Sequence, residues 1–315
     1  MNGFITAYVK AYAFYPLKSR KPVRGERKMG VLSARGSGAL FVLFSATGFG
    51  AMAIFGKIAF ASGASTTTVL FLRFLSAGIF MVGLMMVLRS PWPKGRDLYI
   101  LIAMGALGYA GQSFCFFSAL HYATAGLTGL LLYLHPSLVI IGSAMLGRRK
   151  LTLVKVMLAA GSLLGILLTV SDGLVGTGQG IAFGTCAALI YTVYILVGES
   201  VTARTGAIGA ACVIMLSAGT VFGTVMIFDG PCFPKEMNGW LAVAAIGIIS
   251  TVMPIVFFFA GMRRLGAGDA ATLSTFEPVV TLSLAYLFLG ETLAPIQAFG
   301  AALVIAAVVI LTRMD

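Results

Sequence analysis

The stretch FEPVVTLSLAYLFLGETLAPIQ, residues 276–297, places one carboxylate, Glu277, directly before a proline in an otherwise apolar segment. A charge inside a membrane segment is costly and indicates a functional role. The stretch has a counterpart in the first half of the chain, where His135-Pro136 stands in the place of Glu277-Pro278. Whether this offset extends along the chain decides how the protein is organised.

The composition indicates an integral membrane protein. Of 315 residues, 59% are hydrophobic and 10% charged, with a mean hydropathy of +1.00, whereas soluble domains carry about 25% charged residues. The 39 glycines suit closely packed membrane helices. The net charge of +12 does not indicate a nucleic-acid partner, because eight of the 22 basic residues lie in residues 1–36 and most others lie in short loops.

Ten apolar segments have about the length that a bilayer requires of a helix. Their predicted bounds are 38–60, 66–88, 97–119, 123–146, 152–171, 178–199, 207–228, 238–261, 267–289 and 294–312. With the N-terminus in the cytoplasm, 19 of the 22 basic residues lie on the inside. The positive-inside rule therefore predicts a multi-pass protein of the plasma (inner) membrane with both termini cytoplasmic. The first 36 residues lack the apolar region of a cleavable signal peptide, so we expect a basic cytoplasmic tail there, with Met29 as an alternative start.

The offset that relates Pro136 to Pro278 superimposes the ten segments as five on five. The matching residues include Gly38 and Gly180, Phe41 and Phe183, Phe116-Phe117 and Phe258-Phe259, Ala125-Gly126 and Ala267-Gly268, and Pro136 and Pro278. Since five is odd, the second copy would enter the membrane from the opposite side, an arrangement typical of secondary transporters. The fold prediction is an all-α polytopic membrane protein of ten transmembrane helices in two inverted five-helix repeats, over 37–172 and 178–312, after the tail over 1–36.

Several motifs resemble the EamA domain of the drug/metabolite transporter superfamily. They are LSTFEPVVTLSLAYLFLGETLAPIQAFGAALVIAAVVIL (273–311), FFFAGMRRLGAGDAA (257–271), FFSALHYATAGLTGLLLYLHPSLVIIGSAMLGRRKLTL (116–153) and LFLRF (70–74). The resemblance covers about residues 38–312 and implies ten helices, a central cavity between the halves and alternating access. It does not specify a substrate, because family members move amino acids, metabolites and toxic compounds. The first copy departs at Arg148-Arg149, where the second has Gly290-Glu291, which fits a cytoplasmic anchor.

Glu277 and His135 are the first candidates for the substrate or proton pathway. Each lies ~15–18 Å into its segment, about half of a ~30 Å hydrocarbon core. Pro278 and Pro136 break the helical hydrogen bonding beside them, which at this depth indicates a position facing the interior. Glu277 is suited to take up and release a proton or to bind a cationic group; alternatively, it is a structural carboxyl. His135 is suited to gating or substrate binding, or it is structural.

Lys57 and Arg73 lie toward the outer ends of the first two segments. Two interpretations stay open for both: their side chains reach the membrane surface, or they form an outer gate or anion contact. No metal site is expected, since only His121, in a loop, could add a second imidazole.

Further polar residues in apolar segments are cavity-lining candidates, with interhelical packing as the alternative. Tyr109 and Gln112 share a helical face, as do Tyr191 and Tyr194. Thr251 and Pro254 stand at the positions equivalent to Tyr109 and Gln112, and Pro254 is a third candidate helix break. Pairs of the GxxxG type, such as Gly161 and Gly165, favour packing within the chain over a dimer face, which leaves a monomer or a weak homodimer.

No catalytic or cofactor signature is present: the sequence has no phosphate-binding GxxxxGK loop, no GxSxG and no HExxH. The four cysteines are scattered and read as small buried hydrophobes. The favoured function is a secondary transporter of a small metabolite that works by alternating access. Export and proton coupling through Glu277 are its finer parts. A facilitated-diffusion channel or uniporter and an intramembrane enzyme acting on lipids are the alternatives.

Overall fold

The computed structural model describes residues 28–147, 152–170, 176–265, 270 and 273–314. Within these ranges the chain is helical, and the only β-type pairing is an isolated bridge between Ala123 and Gly176. The predicted tail lies outside the described residues up to residue 27, and so does the anchor predicted at Arg148 and Arg149.

The helices follow one another with short connections. In chain order they are α1 (Lys28–Gly50), α2 (Met52–Ala61), α3 (Thr66–Leu88), α4 (Gly95–Ala103), α5 (Ala110–Tyr122), α6 (Ala125–Leu132), α7 (His135–Met145), α8 (Leu153–Val170), α9 (Gly178–Thr205), α10 (Ala207–Asp229), α11 (Met237–Gly247), α12 (Met253–Leu265), α13 (Glu277–Leu289) and α14 (Pro295–Met314). Two π-helical segments, Met104–Tyr109 and Ile248–Val252, join α4 to α5 and α11 to α12.

Seven helical stretches in the described part of the chain are long and apolar enough to cross a membrane. Three shorter apolar helices, Leu153–Thr169, Glu277–Leu289 and Pro295–Ile310, coincide with the fifth, ninth and tenth predicted segments. The protein is therefore an all-helical, multi-pass membrane protein.

Helix pairing in the bundle follows the sequence offset between the two copies. Helix α3 packs on its equivalent α10, and α8 packs on its equivalent α14. Helix α1 packs on α12, and the equivalent pair, α9 with α5, also packs together. The pattern is thus unchanged when each helix is replaced by its counterpart in the other half.

Two predicted segments are interrupted near their middle. The segment predicted as continuous over 123–146 is divided at Tyr133 and Leu134 into α6 and α7, and a turn at Thr275–Phe276 precedes α13. Pro136 and Pro278 each occupy the second residue of the helix that follows, where proline is tolerated because no helical N–H is required. The π-helical segments were not predicted, since an inserted residue leaves no mark in composition.

Of the pair Gly161 and Gly165, one member packs against another helix of the same chain. Gly165 packs directly against Gly300: a Cβ on Gly165 would lie 2.6 Å from the Gly300 carbonyl oxygen, and one on Gly300 would lie 2.5 Å from the Gly165 oxygen. Only glycine lets α8 and α14 approach to this distance. Gly161, one turn earlier on α8, has nothing within 4 Å.

Candidate functional site

The site begins at the first helix break. Pro136 has no N–H, so the Leu132 carbonyl one turn back has no helical donor. The His135 ring takes that role, with Nδ1 lying 2.9 Å from the Leu132 oxygen. Because a carbonyl oxygen only accepts, Nδ1 carries the proton in this contact. His135 is thereby held at the break by the defect that its neighbouring proline creates.

At the second helix break, a side chain from the other half of the molecule donates the hydrogen bond. Pro278 leaves the Ser274 carbonyl without a helical donor, and the Tyr133 hydroxyl lies 3.1 Å from that oxygen. The same hydroxyl lies 3.1 Å from Glu277 Oε2. A phenol has one proton to donate, so the carbonyl and the carboxylate compete for it.

Glu277 is half-buried where the two halves of the chain meet. It is the first residue of α13, where unpaired N–H groups at a helix N-terminus favour a negative charge. Thr281, one turn further on, donates to the Gly50 carbonyl at 3.0 Å and so ties α13 to the end of α1.

A line of contacting aromatic rings runs from His135 to Tyr109. The His135 ring lies 4.7 Å from that of Tyr191, centroid to centroid. Tyr191 is stacked on Tyr194 at 5.8 Å, and Tyr194 on Tyr109 at 5.6 Å. Three tyrosines predicted on two different helices are therefore brought together in one continuous contact.

Arg73 lies at the far end of this line. Its Nη2 donates to the Tyr109 hydroxyl at 3.1 Å, and its Nε donates to Thr251 Oγ1 at 3.0 Å. The guanidinium carbon lies 5.0 Å from the Phe74 ring centroid and 5.7 Å from those of Tyr109 and Phe117. Aromatic faces at such distances stabilise a cation.

Arg73 and Lys57 differ in burial. The Arg73 side chain is only 3% exposed and is held by its hydrogen bonds to Thr251 and Tyr109. Its role as a gate stays a prediction. Lys57, by contrast, is half-buried in α2, within electrostatic range of Glu291.

Glu291 joins the two halves at one end of the bundle. Its two carboxylate oxygens accept hydrogen bonds from the backbone N–H groups of Ala125 at 2.7 Å and Gly126 at 3.0 Å. At the same end, the backbone N–H groups of Ser65 and Lys235 bond to the carbonyls of Cys232 and Ser62. These contacts join the two halves; we refer to this end as the Glu291 end.

The remaining predicted residues lie beside this line. Gln112 is buried one turn beyond Tyr109, and its amide oxygen accepts from Ser113 at 3.2 Å. Pro254 follows the second π-helical segment, and its carbonyl accepts from Ser45 at 2.8 Å. His121 is not in a loop as predicted: it lies in the last turn of α5, with Nε2 2.9 Å from Thr66 Oγ1.

Two apolar grooves flank the π-helical segments. Ser76, Ile248 and Val252 contribute to one of about 470 Å³, and Met104, Gly108 and Tyr194 contribute to one of about 450 Å³. Tyr194 thus connects the aromatic line to the second groove.

Sequence reasoning missed Tyr133 and Glu291 as functional candidates. Tyr133 stands two residues before His135, so its proximity to the break was visible, but its bonds to the other half were not. Glu291 belongs to the motif over 273–311, but the sequence does not indicate that it bonds to α6.

Comparison with known proteins places this geometry in a family. The EamA-like transporter family matches the chain twice, over residues 36–171 and 178–313. The uncharacterized transporter YcbK of Bacillus subtilis is 26% identical over 279 residues, which cover 84% of this chain and 89% of the relative. The threonine/homoserine exporter RhtA of Escherichia coli K12 is 26% identical over 246 residues, covering 75% and 78%.

One solved crystal structure aligns with a TM-score of 0.65 at 21% identity and covers 90% of this chain and 99% of that chain, which shows a shared fold. With both halves of its sequence matched by the same family, the chain belongs to the EamA-like transporter family.

Proposed function

We propose that this protein exports a small metabolite across the plasma membrane by alternating access, and that Glu277 carries the coupling proton. Family membership makes it a membrane transporter of small molecules. RhtA is named as an exporter of threonine and homoserine, which supports the outward direction and an amino-acid-like substrate.

The proposed architecture is ten transmembrane helices in two inverted repeats with both termini cytoplasmic. It is supported by the helix pairing, which is unchanged when equivalent helices of the two copies are exchanged, and by the predominance of basic residues on one side of the predicted topology. In such a fold the substrate binds where the repeats meet, near the middle of the membrane. On this topology the Glu291 end is the outer face.

The observation that carries the proposal is the bond between Tyr133 and Glu277, which crosses from one half to the other. A charged Glu277 can only accept, so the Tyr133 hydroxyl donates to it in a charge-assisted hydrogen bond. A protonated Glu277 no longer needs that donor, and Tyr133 can donate to the Ser274 carbonyl instead. Charge-assisted bonds are roughly twice as strong as neutral ones, so protonation weakens the link between the halves and favours their movement.

The test uses purified protein in proteoliposomes, with radiolabelled threonine and homoserine as the first probes. We expect the wild type to accumulate substrate against its gradient when an opposing pH gradient is applied. Glu277→Gln should lose this pH-driven uptake but retain exchange of labelled for unlabelled substrate. Unchanged pH-driven flux in Glu277→Gln would show that Glu277 is not the proton carrier.

The same preparation separates a carrier from a channel. A carrier alternates between two faces, so unlabelled substrate inside the vesicle should drive transient uptake of label from outside. Flux that does not saturate and shows no such counter-flow would favour the channel instead.

A further inference from the structure

We propose that the Arg73 guanidinium binds the carboxylate of the transported substrate, which makes small organic carboxylates, amino acids among them, the substrate class. This inference rests on the proposed transport function and specifies its chemistry. It is based on the hydrogen bonds of Arg73, on the burial of its charge and on the residue at the equivalent position of the other half.

Arg73 has more hydrogen-bond donors than acceptors around it. A guanidinium has five N–H bonds, and Arg73 uses one on Thr251 Oγ1 and one on the Tyr109 hydroxyl. Three N–H bonds therefore have no hydrogen-bond partner among the side chains that the structure describes. The Thr251 hydroxyl already donates to the Ile246 carbonyl at 2.8 Å, so toward Arg73 it acts only as an acceptor.

The buried charge of Arg73 has no counter-ion among the described residues. Both hydrogen-bond partners of Arg73 are neutral hydroxyls, and no described carboxylate forms an ion pair with it. A buried cation without an anion is costly, and the surrounding rings of Phe74, Tyr109 and Phe117 offset only part of that cost. A bound carboxylate would supply the missing anion, and its two oxygens match the planar fork of arginine.

The fold itself does not require a charge at this position. Position 73 on α3 is equivalent to position 215 on α10, because the same offset that relates Pro136 to Pro278 relates these two positions. Met215 occupies that position and is 4% exposed, and α3 and α10 pack on each other. An uncharged side chain of similar length thus suffices for the same packing role, so the guanidinium serves another purpose.

Tyr109 completes the site. Its hydroxyl accepts from Arg73, which leaves its own proton available for a bound anion. It is partly accessible and is stacked against Tyr194. A carboxylate at Arg73 would therefore lie beside the aromatic line that leads to His135 and the Glu277 region, where a second polar group of the substrate can be recognised.

The test measures the thermal unfolding midpoint of the full-length protein in detergent at constant ionic strength. The probes are sodium acetate and L-serine, with acetamide and L-serinamide as uncharged-carboxyl counterparts and inorganic phosphate as a different anion. Ligands that bind the folded state raise the midpoint in a saturable manner. We expect both carboxylates, but neither amide, to stabilise the wild type.

Arg73→Met copies the residue of the other half and should raise the half-saturating carboxylate concentration by about 10- to 100-fold, as the loss of bonds to a charged group predicts. Arg73→Lys keeps the charge without the planar fork, so its half-saturating concentration should lie between those of the wild type and Arg73→Met. It serves as the test if Arg73→Met does not fold. Arg96→Met, which removes an exposed arginine, should behave like the wild type.

Three results would overturn the assignment. They are no saturable stabilisation of the wild type by either carboxylate, an unchanged response in Arg73→Met, and stabilisation by phosphate alone. Counter-flow in proteoliposomes is measured separately on the same preparations. Carboxylate binding that depends on Arg73 without any counter-flow would refute transport while leaving this site in place.

Discussion

The carboxylate of Glu291 accepts the backbone N–H of Gly126 at 3.0 Å, so the loop after α13 caps the first turn of α6 in the other half of the chain. Its second oxygen accepts the neighbouring N–H of Ala125. Thr124 provides a third acceptor, for the Leu127 N–H at 3.2 Å. The free N–H groups at the start of α6 are thereby satisfied, and two of the three bonds link the halves.

Glu291→Ala should therefore loosen the Glu291 end. We expect a loss of about 0.5–2 kcal/mol, the usual cost of removing a helix cap, seen as a lower thermal unfolding midpoint. A cysteine introduced by Ser62→Cys, at the same end, should react faster with a water-soluble thiol reagent when Glu291→Ala is also present. Glu236→Gln changes an exposed carboxylate nearby and serves as the control. Equal accessibility in both variants would argue against a closing role for Glu291.

Tyr133→Phe removes the hydroxyl that serves both Glu277 and the Ser274 carbonyl. A hydrogen bond contributes a net of about 0.5–1.5 kcal/mol, so stability should fall by about that amount. The pH dependence of transport should also change, since protonation of Glu277 would no longer alter a bond between the halves. Tyr286→Phe removes a hydroxyl from a residue of α13 that is 62% exposed and should alter neither property.

A double-mutant cycle tests the role assigned to His135. His135→Ala alone leaves the Leu132 carbonyl without a donor and should cost about 1–3 kcal/mol. Pro136→Ala restores a backbone N–H at position 136 that can bond to the same carbonyl. In that background, His135→Ala should cost clearly less, a coupling that unfolding measurements on the four proteins would detect. Additive effects would show that the imidazole does not compensate for the proline.

Two glycines on one helix should respond in opposite directions. Gly165→Ala places a methyl group 2.6 Å from the Gly300 carbonyl oxygen, and overpacking of this kind costs about 1–3 kcal/mol. Gly161→Ala enters open space on the same helix and should be neutral or stabilising by up to about 1 kcal/mol, because alanine favours helix. Thermal unfolding of both variants checks the contrast, and equal effects would refute the close contact of α8 with α14.

Much of the candidate site was accessible from the sequence because the relevant residue types are rare in apolar segments. Glu277 and His135 stand out beside their prolines, and Tyr109, Tyr191 and Tyr194 stand out by polarity and spacing. The structure brings them into one line of contacts, but their functional role stays a prediction. Lys57 and Arg73 look alike in the sequence, and only the structure shows that Arg73 is buried while Lys57 is half-buried.

The sequence by itself determined that this chain is a helical membrane protein with a repeated organisation. Hydrophobic segment length is a local property, and the offset that relates Pro136 to Pro278 is readable along the chain. The tertiary structure decided which partners meet. Tyr133 reaches the carbonyl freed by Pro278, Glu291 caps α6, and Arg73 donates to Thr251. Each of these contacts joins residues far apart in the chain, and hydrogen-bond geometry between distant segments exists only after the helices have packed.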